Sequence, residues 1–277
     1  MARHLTLGLT GYFLRQERTR KRWLVFGSVL LLFSIIMTQL FRVMAPPGTL
    51  NVWDGLFSIT ASYQTNLFIL CLFFIVSVLD NLYGYDEQNI FLRISNKLRW
   101  YESKVLVLFV QIAGLTFVFY AIPAFVSFVQ FPSQSGWSAQ WQLVFEGRSS
   151  APVYFVPYAD FAPLFPPRQA FVMSVMLTIL SLMAMGLFNL LLYLWLGRAR
   201  LLVIAINVLY LVLNYVVYHY GAFGGLKYGM IYDYMILSYY FYIPGQPDLL
   251  GSMGLLVLLI IGFLVGGRVS LRHWSVR

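Results

Sequence analysis

The chain has 277 residues, 60% of them hydrophobic and only 10% charged, with 19 Lys+Arg against 10 Asp+Glu for a formal net charge of +9. Soluble globular proteins are about 45–50% apolar and about 25% charged, so the composition excludes a soluble enzyme, a disordered chain and a disulfide scaffold. A basic excess in a soluble protein would point to nucleic acid; here its meaning depends on where the charges fall.

Residues 2–22 precede the first apolar run. Leu5, Leu9, Tyr12, Phe13 and Gln16 follow helical spacing, with Arg15, Arg18 and Arg22 on another stripe. An amphipathic helix over 1–22, lying in the membrane interface with its arginines on headgroups, is expected. The plainer alternative is a basic flank that only orients the first span.

A hydrocarbon core about 30 Å thick takes about 20 mostly apolar residues of helix. Six stretches meet or approach this: 23–43, 61–81, 105–129, 170–195, 201–219 and 249–266. The first is longer than a signal-peptide core and is followed by Met44, Ala45, Pro46 and Pro47, a poor cleavage site, so it reads as an uncleaved span. The second is marginal: its apolar centre, 67–79, suits a buried helix equally well, and Gln64, Thr65 and Asn66 stand near one end.

Between spans two and three lies the loop 82–104. Asp86 or Asn89 is placed to cap a short helix starting near Glu87 or Ile90. Ile90, Ile94 and Leu98 then fall at i, i+4 and i+8, with Arg93 and Lys97 on an adjacent face. The pattern fits docking to a cytosolic partner, and equally a helix resting on headgroups.

Two further segments are longer than topology needs. Residues 131–168 interleave Pro132, Pro152, Pro157, Pro163, Pro166 and Pro167 with Trp137, Trp141, Tyr154, Phe155 and Tyr158. A loop of this length is functional or disordered, and its aromatic content argues for a small ordered cap. Residues 220–248 open on Gly221, Gly224, Gly225 and Gly229, then run apolar and tyrosine-rich to Pro244. The stretch 230–243 is too short to span, and its tyrosines belong at headgroup depth. Re-entrant packing is expected, an amphipathic helix on the outer surface being the alternative.

The basic residues divide by side. Arg3, Arg15, Arg18, Arg20, Lys21 and Arg22 precede span one; Arg93, Lys97, Arg99 and Lys104 lie between spans two and three; Arg198 and Arg200 join spans four and five; Arg268, Arg272 and Arg277 end the chain. The remaining four are Arg42, Arg148, Arg168 and Lys227. The positive-inside rule puts both termini in the cytoplasm, and an even number of spans requires the same. The charge is therefore a topology signal, and no nucleic-acid partner is expected.

Catalytic motifs are absent. There is no G-x-x-x-x-G-K-[ST], no H-E-x-x-H and no G-x-S-x-G. His4, His219 and His273 are too far apart to propose a metal set, and Cys71 reads as a buried, inert thiol. No ionisable residue falls in mid-span, where ion and proton pathways place them; Arg42 and Asp80 sit at span ends, and Asp80 is placed to pair with loop cations. Mid-span polarity is limited to Gln111, Asn189, Asn207 and Asn214. Asn207 and Asn214 are seven apart and share a face; interhelical hydrogen bonding is the favoured role, substrate contact the lesser one. Energy for any transport must then come from outside the chain.

Six spans with both termini inside, a basic amphipathic start, an elaborated loop between spans two and three and an aromatic, Gly/Pro-bounded segment before span six together resemble the membrane subunit of an ABC-2-type (type V) ABC exporter. Arg93, Ser95, Lys97, Trp100, Ser103 and Lys104 are similar to that family's loose run of basic, small and Trp residues leading into span three. The resemblance implies a single all-α transmembrane domain over 1–277 in a bacterial plasma membrane. It implies a second permease subunit, identical or not, and a cytosolic ATPase subunit that holds ATP and Mg, with no cofactor on this chain.

It implies coupling residues at Gln88, Ile90, Phe91, Arg93, Ile94, Lys97, Arg99, Trp100 and Glu102. It also implies a substrate pathway touching Asn66, Asn207 and Asn214, and an outer gate at Tyr232, Tyr234, Tyr239 and Tyr240. The aromatic, uncharged pathway suits amphipathic or hydrophobic cargo such as peptides, lipids or drugs. Two other classes compete with this reading. A membrane enzyme or assembly factor would have to use Glu146, Arg148 and Asp160 in the external insertion. A secondary transporter predicts internal repeats and mid-span ionisable groups, and the sequence has neither.

Overall fold

The computed structural model describes residues 8, 10–12, 21–44, 48–83, 96–139, 165–197, 199–220, 231, 235 and 249–273. Among them every regular element is helical, and six helices are long and apolar enough to cross a membrane. In chain order these elements are α1 (Arg22–Met44), α2 (Val52–Thr60), a π-helical stretch (Thr65–Cys71) that continues into α3 (Leu72–Leu82), α4 (Lys97–Gln130), α5 (Pro167–Leu196), α6 (Arg200–Tyr220) and α7 (Leu249–His273). Of the interfacial helix expected over 1–22, residues 8 and 10–12 are helical, Lys21 is a turn and Arg22 already opens α1; the others lie outside the described residues.

Helices α1, α5 and α6 match the hydropathy reading to within three residues at each end. Pro167 opens α5 at its first turn, where a missing N–H costs nothing. The other three spans depart from expectation. Helix α7 continues to His273 instead of stopping near 266. Helix α4 begins at Lys97 instead of near 105, because Asn96, extended at φ −125° and ψ 103°, accepts the Leu98 N–H on its side-chain oxygen at 3.0 Å. At 34 residues α4 is about 51 Å long by the helical rise, well beyond a hydrocarbon core. The same cap corrects the expected stripe: Leu98 belongs to the first turn of α4, and an uninterrupted helix cannot carry it together with Ile90 and Ile94, which lie outside the described residues.

The marginal second span is the π-helical stretch plus α3, Thr65–Leu82. Ahead of it stands α2, which the hydropathy reading missed. Asn51 accepts the Trp53 N–H at 2.9 Å while Asp54 accepts the Asn51 N–H, a reciprocal capping box that starts a helix before the apolar run begins.

The interior centres on α3, α4 and α5, with Leu70, Cys71, Trp100, Ile112, Phe119, Leu177, Leu182 and Ala184 sealed from solvent. Helix α2 packs on α4, α1 on α4, and α7 along α5. Helices α4 and α5 approach closely at Gly186, where any Cβ would lie 2.6 Å from Leu108 Cδ1; small residues at such crossings let membrane helices gain dispersion contact. The outer faces of α1, α6 and α7 carry exposed Leu24, Leu32, Leu201, Leu209, Leu250 and Leu258, apolar side chains that a bilayer would solvate.

Candidate functional site

One end of the bundle gathers the charges. Asp80, on the last turn of α3, accepts Arg22 Nη1 at 2.7 Å on one oxygen and Arg200 Nη2 at 3.0 Å on the other. Beside it Lys104 is buried, its Nζ donating to the Asn81 backbone carbonyl at 2.8 Å and to Asn81 Oδ1 at 3.1 Å. The carbonyl belongs to the C-terminal turn of α3, whose partial negative charge favours a cation. The Trp100 ring lies 6.0 Å from the same Nζ. Asn81 also donates to Gln111 Oε1 at 3.1 Å, and Arg268 faces Glu102 at 3.9 Å. These contacts place the start of α1, the end of α3, the start of α4, the start of α6 and the last turns of α7 at one end of the molecule.

The coupling residues expected from the loop divide sharply. Gln88, Ile90, Phe91, Arg93 and Ile94 lie outside the described residues. Lys97 is exposed and Arg99 half-buried. Trp100, expected to meet a partner, is instead wholly buried, stacked on Tyr193 of α5 at 5.9 Å. Glu102 faces α7. The reason is the early start of α4: residues 97–104 form its first two turns, and alternate faces of those turns pack against the bundle. Tyr83, just past the end of α3, also meets Tyr193, edge to face at 5.0 Å. Burial pushes its phenol up to about 12, the Arg200 charge opposing.

The three asparagines expected along a pathway serve separate junctions. Asn66 is buried in the first turn of the π-helical stretch and donates to the carbonyls of Thr60 at 2.7 Å and Ser62 at 2.9 Å, closing the end of α2. Two carbonyl partners fix its amide orientation, so Oδ1 points elsewhere and has no partner among the described residues. Asn207 pairs reciprocally with Asn189 of α5: Asn207 Nδ2 donates at 2.6 Å, Asn189 Nδ2 at 3.2 Å, and each amide also donates to the carbonyl four residues earlier. This is the interhelical bonding favoured from sequence. Asn214 is fully buried two turns farther along α6. Near it, Tyr215 meets Tyr63 and Phe68 at 6.5 and 6.0 Å, so α6 and the start of the second span face each other there.

At the opposite end, α2 is sewn to the beginning of the 131–168 segment. Ser138 Oγ donates to the buried Asp54 carboxylate at 2.9 Å, Asn51 Nδ2 donates to Gly136 O at 3.0 Å, Trp53 Nε1 to Gln134 O at 2.9 Å, and Val52 N to Pro132 O at 3.1 Å. Gly55 allows the fit, since a Cβ there would sit 2.8 Å from Phe131. Trp137 Nε1 donates to Phe165 O at 2.8 Å, tying the two ends of the insertion together. Glu146, Arg148 and Asp160, the polar groups of the enzyme alternative, lie outside the described residues. The sequence signal for this clamp was Asn51-x-x-Asp54, a capping-box spacing that charge counting alone passed over.

Of the segment before α7, Tyr232, Tyr234, Tyr239 and Tyr240 lie outside the described residues, while Ile231 and Met235 are buried. The Ile231 N–H donates to Tyr210 Oη at 2.7 Å. Tyr210 is ten residues from the end of α6 at Tyr220, about 15 Å down its axis. The Ile231 backbone is thus within hydrogen-bond reach of a side chain from the middle of α6. Among the described residues, no three His, Cys, Asp or Glu side chains form a group that could hold a metal ion. No family model matches the chain, and no curated protein or solved structure matches it.

Proposed function

We propose that this chain is the membrane-spanning subunit of an ATP-driven exporter of the ABC-2 type, working with a second permease subunit and a separate ATPase. Its cargo would be amphipathic or hydrophobic, carried out of the cytoplasm or its inner leaflet. The observation that carries the reading is Ile231, which belongs to a segment too short to span yet bonds to Tyr210 part-way down α6. Such a seat supports a re-entrant segment, because backbone at that depth must be covered by protein or line a wet cavity. The gathering of α1's start and α7's end beside the basic cluster supports cytoplasmic termini. In this reading Lys97, exposed at the tip of α4, is the described residue best placed to meet the ATPase, and Trp100 holds the tip in place from inside.

The experiment is affinity purification of the full chain from its native membrane, followed by measurement of ATP hydrolysis. A P-loop ATPase should co-purify, and deleting residues 90–98 should abolish stimulation of hydrolysis while leaving the chain in the membrane. An intact assembly with neither ATPase subunit nor hydrolysis would refute the reading.

A further inference from the structure

We propose that the corner where the starts of α1 and α6 meet over Asp80 binds the headgroup of an anionic phospholipid. Arg22 and Arg200 occupy the two oxygens of one carboxylate, at 2.7 and 3.0 Å, which holds two guanidinium groups side by side. Arg22 is mostly buried and its side chain is spent inside the corner. Arg200 is not: 48% of its side chain is exposed, and it gives Asp80 a single N–H of its five donors. Lys21, the residue before Arg22, is exposed as well. One carboxylate thus holds two cations together, and exposed Lys21 precedes one of them in the chain.

The surface beneath those cations selects the ligand. Leu24 and Val25 of α1 and Leu201 and Leu202 of α6 come directly after them and are exposed. A phosphate attached to acyl chains can satisfy both layers at once, with its oxygens on Arg200 and Lys21 and its chains against the aliphatic side chains. A free phosphate gains only the first. A zwitterionic choline lipid brings a second cation to a corner that already has a surplus. Basic pockets between helices at the cytoplasmic side are where acidic lipid headgroups are held. The inference rests on the membrane-spanning architecture and stands whether or not the chain belongs to an exporter.

The test titrates the purified full chain, in a zwitterionic detergent, with short-chain phosphatidylglycerol, short-chain phosphatidylcholine or glycerol phosphate, reading the thermal midpoint. Phosphatidylglycerol should raise the midpoint saturably, and the other two should not at equal concentration. Arg200→Gln and Lys21→Gln should each weaken the apparent affinity about fivefold, the worth of one interfacial cation, and Arg200→Lys should keep most of it. Lys21→Gln keeps the test decisive should Arg200→Gln unfold the chain, because Lys21 stands outside the Asp80 pairs. Arg268, 62% exposed at the same end, is the control. A loss on Arg268→Gln equal to that on Arg200→Gln would mean diffuse attraction and overturn the site. Equal stabilisation by glycerol phosphate would overturn the lipid assignment.

Discussion

The Asn189–Asn207 pair decides whether α6 carries a substrate contact or a structural bond, and a double-mutant cycle measures it. Each amide donates across to the other and back to its own helix, and both residues are fully buried. Interhelical polar contacts in membranes average about 0.6 kcal/mol and reach about 1.7 kcal/mol. Two reciprocal bonds, one of them 2.6 Å, should therefore couple by about 1–2 kcal/mol. Asn207→Ala removes that coupling and leaves Asn189 Oδ1 buried without a donor, which adds a desolvation cost of about 1–3 kcal/mol. Each single substitution should cost about 2–5 kcal/mol, and the double substitution little more than either single, since it removes the stranded partner too. The assay is reversible unfolding in mixed micelles titrated with a denaturing detergent. Single effects that simply add, to within about 0.3–0.5 kcal/mol, would refute the pair and return Asn207 to the pathway.

The clamp on α2 predicts that Asp54→Ala, which strips a buried acceptor from Asn51 N–H and Ser138 Oγ, lowers stability by about 3–6 kcal/mol, at about 1.5–3 kcal/mol per bond to a charged group. Limited proteolysis should then cut within 131–139, and an unchanged cleavage pattern would contradict it. Gly186→Ala forces a Cβ onto Leu108 and should cost about 1–3 kcal/mol by overpacking, with Leu108→Ala restoring part of the loss in thermal unfolding. Trp100→Ala should cost about 3–5 kcal/mol as a large core truncation, whereas exposed Leu98→Ala should stay within about 0.5 kcal/mol; equal effects would mean Trp100 faces outward after all. Tyr83 is raised from 10 to about 12 in the folded chain, so its proton leaves the unfolded chain first and stability should fall as pH rises from 10 toward 12. Tyr83→Phe should flatten part of that slope in the same assay.

The spans were legible because spanning is a local property. Twenty apolar residues partition into hydrocarbon wherever their neighbours sit, and α1, α5 and α6 lie within three residues of the places hydropathy assigns. Segment ends were less legible where a polar side chain overrides the average: one hydrogen bond from Asn96 moves the start of α4 to Lys97, and one capping box creates α2. The candidate site was read least well. Trp100 and Lys97 share a motif in the sequence and, three apart, one side of the helix, but Lys97 stands exposed at the first position of α4 while Trp100, a turn deeper, packs into the core.

The sequence by itself thus determined the number of membrane-long helices, the segments between spans in which basic residues collect and the absence of a G-x-x-x-x-G-K-[ST] motif. Each comes from composition summed along one segment. Only the tertiary structure decided which polar groups meet: Asp80 with Arg22 and Arg200, Lys104 with the end of α3, Asn207 with Asn189, and Asp54 with Ser138. A buried polar group must find a partner in a dry interior. Helix packing, which brings together residues as distant in the chain as Asp80 and Arg200, chooses that partner.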